Sequence, residues 1–236
     1  MNAAGPTVAP RPTLGTPRVH FRVTDSTNER GRELARAGAP HGTLVTATEQ
    51  SAGRGRQGRT WTAPPGTAIL CSLVIRDHPR MLPLSAGLAV AELAGPEAGV
   101  KWPNDVLLDG RKVAGILVEG RPQERWAVLG IGVNVAVSPD HFPPELRHIA
   151  GTLGLGREQV EPTVQRLLGH LERWIAAPEE EVLEAVRARD ALLDRRVKWA
   201  DGEGTGAGID GEGRLVVATS EGRVSLEAGE VHLVVQ

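Results

Sequence analysis

Gly53-Arg54-Gly55-Arg56-Gln57-Gly58-Arg59-Thr60-Trp61 is the stretch that decides how the rest of this chain is read. Its glycines block no close backbone approach and permit positive φ. Arg54, Arg56 and Arg59 present fixed forks of N–H donors, which suit phosphate or carboxylate. Trp61 ends the run with a flat aromatic face. The combination reads as a loop that closes over a phosphate-bearing nucleotide. It is not a Walker A loop, because no Gly-Lys-Ser/Thr follows, and its glycine spacing is not that of a dinucleotide fingerprint. A solvated Arg-Gly loop that binds RNA loosely would also explain this stretch taken by itself.

The neighbouring segments set the loop in an α/β frame. Residues 42–50 read as a strand that delivers the chain straight into Gly53. Before it, residues 19–23 alternate as a first strand, and a helical pattern runs on through Leu34 and Ala37. Asp25-Ser26-Thr27-Asn28-Glu29 opens that helix. Ser26 and Glu29 have the spacing of a capping box. Ser26, Thr27 and Asn28 equally present polar groups to a ligand at a helix N-terminus, and the two roles are compatible. After the loop, Pro64-Pro65-Gly66 is a turn. Residues 67–75 then read as a buried strand and residues 82–93 as a packing helix.

A second dense segment is Lys101-Trp102-Pro103-Asn104-Asp105. Asn104-Asp105 is a typical turn pair, so a hairpin corner would account for it. The crowding of Lys, Trp, Asn and Asp between apolar neighbours points instead to a site, and Asp105 is a candidate oxygen ligand for Mg²⁺. Lys112 heads the next strand, residues 113–119, where it can set a compact positive charge on a reacting carbonyl or phosphate. A snorkelling surface lysine is the alternative. Glu119 reads as a solvated strand end. Residues 126–135 form a further buried strand, in which Gly130 and Gly132 suggest close approach of a backbone or ligand. Asn134 is polar in an apolar run and needs partners.

Composition bounds the class. The chain has 236 residues, 40% hydrophobic, with net charge −2. A sizeable core is possible, and no global basic field recruits nucleic acid. Cys71 is the one cysteine, which fits a reducing compartment. No apolar run reaches the length of a membrane span, and no signal pattern opens the chain. We therefore expect a cytoplasmic protein that binds neither membrane nor DNA. Residues 1–17 are expected to be a disordered lead, too short and proline-rich for a DNA-binding domain. Beyond residue 138 the pattern turns helical, over 159–175 and 179–193. From residue 194 short alternating strands with Gly turns predict a small barrel.

Four segments together resemble biotin protein ligases: Glu49 to Trp61, Lys101 to Asp105, Arg111 to Glu119, and Gly130 to Asn134. The resemblance covers residues 18–236. It implies an α/β fold of the α+β kind, a mixed sheet with packed helices related to class II aminoacyl-tRNA synthetases. A catalytic unit would span 18–190 and an SH3-like barrel 191–236. It implies that biotin and ATP, with Mg²⁺, give biotinyl-5′-adenylate, and that a lysine of a biotin carboxyl carrier domain, such as that of acetyl-CoA carboxylase, then takes the biotinyl group. Some members of the family form homodimers by extending the central sheet; no edge in this sequence reads clearly as an interface.

The resemblance also assigns roles. Ser26, Thr27, Asn28 and Gln50 resemble the polar contacts to the biotin ureido ring. Gly53, Arg54, Arg56 and Arg59 resemble the loop that closes over biotin and the adenylate phosphate, and Trp61 the tryptophan that packs on adenine. Lys112 resembles the lysine that bridges the biotin carboxylate and the α-phosphate. Gly115 resembles a backbone contact to biotin; Gly132 and Asn134 resemble contacts near the nucleotide. Asn104 and Asp105 resemble the segment that supports nucleotide and metal. Two alternatives stay open at this point: a lipoate or octanoate ligase or transferase of the same fold, and a non-enzymatic Arg-Gly RNA-binding module.

Overall fold

The computed structural model describes residues 14–120, 123–227 and 229–234. A seven-stranded sheet carries the residues singled out above. Its strands are β1 (Arg18–Thr24), β2 (Leu44–Gln50), β3 (Ala68–Arg76), β4 (Gly99–Lys101), β5 (Asp105–Leu108), β6 (Arg111–Gly120) and β7 (Trp126–Asn134). They lie in the order β1-β2-β3-β7-β6-β5-β4. β1 and β2 pair in parallel and every other pair is antiparallel, so the sheet is mixed. Parallel strands need a crossover; here it is helix α1 (Thr27–Arg36).

Alternation along the central strands assigns the two faces, because successive side chains in a strand point to opposite sides. Leu129, Ile131 and Val133 of β7, with Ile69, Leu73 and Ile75 of β3, face the main core. That core is closed by α2 (Leu82–Ala94) and α3 (Val160–Ala176). Burying each such aliphatic side chain stabilises the fold by about 1.5–3 kcal/mol. The opposite face holds Val128, Gly130 and Gly132 of β7 and Ser72 of β3, and α1 packs there: a Cβ at Gly31 of α1 would lie 2.8 Å from Val128 and 3.6 Å from Ser72. Helices thus cover both faces of the sheet.

Helix α4 (Glu179–Ala188) stops five residues short of its expected end. The edge strand β4 captures the chain instead: Val100 N–H donates to Arg189 O at 2.8 Å, and Ala191 N–H to Val100 O at 3.0 Å. From there the chain enters a second, antiparallel sheet of β8 (Arg196–Trp199), β9 (Gly202–Ile209), β10 (Leu215–Thr219), β11 (Gly222–Leu226) and β12 (His232–Leu233). Its order is β11-β10-β9-β8-β12, built from the short strands expected from the alternation. Val197, Ile209, Leu215, Val217 and Val231 join the same apolar core as α2 and α3. The Trp102 indole N–H donates to Gly213 O at 3.0 Å and fastens this sheet to the Lys101–Asp105 corner.

The expected disordered lead is corrected over its last residues; residues 1–13 lie outside the described part. Leu14 is buried, its N–H donates to Glu172 Oε1 at 2.8 Å, and Gly15 N–H donates to Gly42 O at 2.8 Å. One buried leucine and two directed bonds suffice to order a short polar segment.

Candidate active site

The glycine-arginine stretch folds into a small hairpin rather than an open loop. Trp61 N–H donates to Gly53 O at 3.0 Å and Gly55 N–H to Arg59 O at 2.7 Å, with Arg54 bridged to Thr60. The tip turns through Gln57 (φ 54°) and Gly58 (φ 75°). Gly53 serves close approach within the hairpin, since a Cβ there would sit 2.2 Å from the Trp61 carbonyl oxygen.

Beneath the hairpin lies a cleft of about 900 Å³, its open mouth included. Of the predicted residues, Ser26, Thr27, Asn28, Gln50, Arg54, Arg56, Arg59, Trp61, Asn104, Asp105, Lys112, Gly115 and Gly132 line it. Gly53 and Asn134 do not. Asn134 is buried, and its side-chain amide donates to Gly151 O at 2.9 Å, which satisfies it within the fold. The alternation Gly130-Ile131-Gly132-Val133 explains the cleft floor: branched residues fill the core while glycines face the site. A Cβ at Gly132 would lie 2.5 Å from the Trp61 ring, and one at Gly130 2.1 Å from Asn28 Oδ1. These absent side chains seat Trp61 and Asn28 against the sheet.

One end of the cleft is polar and enclosed. Ser26, Thr27 and Asn28 are each under 5% exposed. Gln50 Oε1 accepts from Thr27 N–H at 2.7 Å and from the Thr27 hydroxyl at 3.1 Å. The Ser72 hydroxyl donates to Asn28 Oδ1 at 2.5 Å. Asn28 Nδ2 donates to Glu119 Oε2 at 2.8 Å and to Leu117 O at 3.3 Å. The expected capping box is absent: Ser26 makes no side-chain cap bond, and Glu29 pairs with Arg32 and Arg54. Two guanidinium groups draw the Glu29 carboxylate away from the helix start, and the Ser26 hydroxyl stays on the cleft wall.

The other end is charged. Asp105 stands between two ammonium groups, with Lys112 Nζ 2.6 Å from Oδ1 and Lys101 Nζ 3.5 Å from Oδ2. Burial holds the Lys101 pKa below its ordinary value, against the opposing pull of Asp105. Lys112 Nζ also lies 5.8 Å from the Trp61 ring centroid, within cation–π reach. The three loop arginines all have protein partners. Arg54 reaches Glu29 (3.2 Å) and Glu119 (3.1 Å), Arg56 donates to Asn104 Oδ1 (3.1 Å), and Arg59 pairs with Glu230.

Asp105, expected as a Mg²⁺ ligand, is held in this structure between the Lys112 and Lys101 ammonium groups, which a divalent cation on its carboxylate would face.

Sequence reading missed four contributors. Ser72 is one small polar residue in an apolar run and gives no local signal. Lys101 sits in a quoted motif but received no role. Glu119, read as solvated, is only 17% exposed at its side chain. Residues 229–231 join the cleft from the second sheet. His232 beside them has its pKa lowered by burial and by Lys101 and Arg59. Cys71 is buried in β3, its thiol pushed up to about 12 by burial, so it is no nucleophile.

Comparison with known proteins supplies the family. The model of the Biotin/lipoate A/B protein ligase family matches residues 20–135. The Bifunctional ligase/repressor BirA of Bacillus subtilis is 34% identical over 93% of this chain and 75% of its own length. The Biotin–[acetyl-CoA-carboxylase] ligase of Paracoccus denitrificans is 36% identical over 88% of this chain and 97% of its own. Among solved structures, the biotin protein ligase from Aquifex aeolicus in complex with biotin and ATP superposes with a TM-score of 0.76, at 28% identity, covering 92% of this chain and 98% of that one. Sequence, fold and cleft lead to one assignment: the chain belongs to the biotin protein ligases of the Biotin/lipoate A/B protein ligase family.

Proposed function

We propose that this chain activates biotin as biotinyl-5′-adenylate and transfers the biotinyl group to a lysine of a biotin carboxyl carrier domain, in the cytoplasm. The observation that carries the reading is a single cleft with an enclosed polar end and a cationic end, bridged by Trp61. The polar end, Ser26 to Asn28 with Gln50, has the donors and acceptors that a ureido ring requires. The cationic end, Lys112 with the loop arginines, suits two anions meeting.

In the first step a biotin carboxylate oxygen attacks the α-phosphorus of MgATP and pyrophosphate leaves. Lys112 would hold the carboxylate against the α-phosphate and stabilise charge in the pentavalent transition state, a reading supported by its position in the cleft beside Trp61. Arg54, Arg56 and Arg59 supply further charge-assisted donors as the hairpin closes, and Trp61 covers the adenine. The closed hairpin keeps water from the mixed anhydride. In the second step an uncharged carrier lysine attacks the acyl carbon, AMP leaves, and the amine proton passes to solvent. Carrier domains of carboxylases are the expected partners, because the Paracoccus relative bears that acceptor in its name.

The same fold serves lipoate in related enzymes, but a dithiolane or alkyl chain would desolvate Ser26, Thr27, Asn28 and Gln50 without giving a hydrogen bond in return. An RNA-binding role fits poorly with Arg54 turned onto two carboxylates. The deciding experiment is exchange of labelled pyrophosphate into ATP with biotin, lipoate and octanoate in parallel. Exchange with biotin alone is the expected result. Exchange with lipoate or octanoate instead moves the substrate, and none with any acid overturns adenylation.

Arg56→Gly removes the hairpin's bond to Asn104 and frees its backbone. One charge-assisted bond is worth about 1.5–3 kcal/mol, so escape of adenylate should rise about tenfold or more. Trapping the released adenylate with hydroxylamine measures it; release at the wild-type level would count against hairpin closure by Arg56.

A further inference from the structure

We propose that Glu119 is a positioning residue that couples recognition of the ring at the polar end to closure of the arginine hairpin; the proposal rests on the ligase reading above. Its two carboxylate oxygens are divided between the two tasks. Oε2 accepts from Asn28 Nδ2 at 2.8 Å. Oε1 pairs with Arg54 at 3.1 Å and with Arg32 at 3.5 Å. Glu119 does not itself line the cleft, whereas Asn28 and Arg54 both do.

The first task is orientation. An Asn side chain can present either its oxygen or its NH₂ to a given neighbour, and the surrounding bonds decide which. Glu119 Oε2 and the Leu117 carbonyl are both pure acceptors. An Asn28 flipped by half a turn would set its own oxygen against both of them. Glu119 therefore fixes the NH₂ on the β6 side and turns Oδ1 toward Ser72 and the floor at Gly130. The face of Asn28 offered to a ring is thereby determined.

The second task is anchoring. Arg54 begins the hairpin, bridged to Thr60 across its base. Two carboxylates hold its guanidinium: Glu29 from α1 and Glu119 from β6. Glu119 is the less exposed of the two and sits on a central strand, paired to Val128 of β7. It gives the hairpin a charged anchor on the sheet. A carboxylate shared in this way makes the ring-facing amide and the hairpin base parts of one hydrogen-bonded unit.

Glu119→Gln separates the tasks without changing shape. Glutamine keeps an acceptor oxygen for Asn28 Nδ2 but loses the charge that holds Arg54. Glu119→Ala removes both. The experiment measures biotin-dependent pyrophosphate exchange over a range of biotin concentrations, and adenylate in the filtrate after the enzyme is removed. For Glu119→Gln, adenylate release rises about three- to tenfold while biotin KM stays within about twofold of wild type, less than a whole charge-assisted bond because Arg54 keeps its second carboxylate, Glu29. For Glu119→Ala, release rises and biotin KM also rises, by about tenfold or more. A residue that only stabilises the fold would lower Tm and leave both readouts unmoved. Wild-type release by Glu119→Gln overturns the coupling, as does an unchanged biotin KM in Glu119→Ala. Should the alanine variant not fold, the isosteric glutamine variant decides alone. A wild-type enzyme inactive with every acid instead overturns the ligase reading on which the coupling stands.

Discussion

Lys112→Ala is expected to lower biotin-dependent pyrophosphate exchange by about 100- to 1,000-fold, the cost of removing one preorganised donor from a developing charge. The side chain is held for that task. Lys112 N–H donates to Ile149 O at 2.7 Å, and Lys112 O accepts from Gly151 N–H at 2.8 Å, so the backbone is fixed on both sides. Asp105 then aims the ammonium from 2.6 Å. A bulge between Val106 and Leu107 shifts the β5–β6 register and sets Leu107 opposite Lys112. Lys112→Arg keeps the charge but replaces a compact ammonium by a planar fork, and should restore only part of the rate. Because the alanine variant leaves Asp105 with one partner, a loss of about 1–3 kcal/mol in stability is expected as well. Exchange per folded molecule separates the two effects. Exchange within about threefold of wild type would remove Lys112 from the chemistry.

The second large effect is steric. Gly130→Ala would place a methyl group 2.1 Å from Asn28 Oδ1 and 2.8 Å from its Cγ, closer than real contacts allow. β7 is the centre of the sheet, paired to β3 on one side and β6 on the other, so its backbone cannot retreat. Asn28 must move, and its bonds to Ser72, Leu117 and Glu119 break with it. Each buried polar group left without a partner costs about 1–3 kcal/mol, so biotin KM should rise about 100-fold or more. Gly169→Ala is the matched control. Gly169 lies within α3 with nothing inside 4 Å of its added methyl. That change should stabilise the helix by about 0.5–1 kcal/mol and leave biotin KM untouched. A Gly130→Ala enzyme with wild-type biotin KM would mean that Asn28 is not where recognition occurs.

The contrast between these two glycines marks what could be read in advance. Gly130 and Gly132 were legible because they break an apolar strand at period two, and period two alone assigns one face to the core and the other to the site. The glycines, arginines and tryptophan of residues 53–61 marked a ligand loop, but its hairpin form came only with the bonds between Gly53 and Trp61 and between Gly55 and Arg59. Lys101 to Asp105 was read as a site rather than a hairpin corner, and the structure makes it both, a β4–β5 corner whose charged groups line the cleft. The capping box failed because helix propensity rules count only nearest neighbours, whereas Glu29 found Arg54 across the fold. Asn134 was singled out correctly as polar in an apolar run, but the partner that satisfies it, Gly151, lies 17 residues away.

The sequence by itself determined the long strands and helices, the glycines that interrupt β7, and the loop arginines and Lys112 that gather over them. Those follow from side-chain periodicity and from residue chemistry, both local properties. It did not name strands β4 and β5 or the roles of Lys101, Glu119 and Glu230. Only the tertiary structure decided which charges meet. It turned Arg54 onto Glu119, set Asp105 between two lysines, and brought Glu230 from the far end of the chain onto Arg59. Electrostatic pairing acts through space and depends on burial, so partners separated by up to about 170 residues carry no signature in the stretch of sequence that either one occupies.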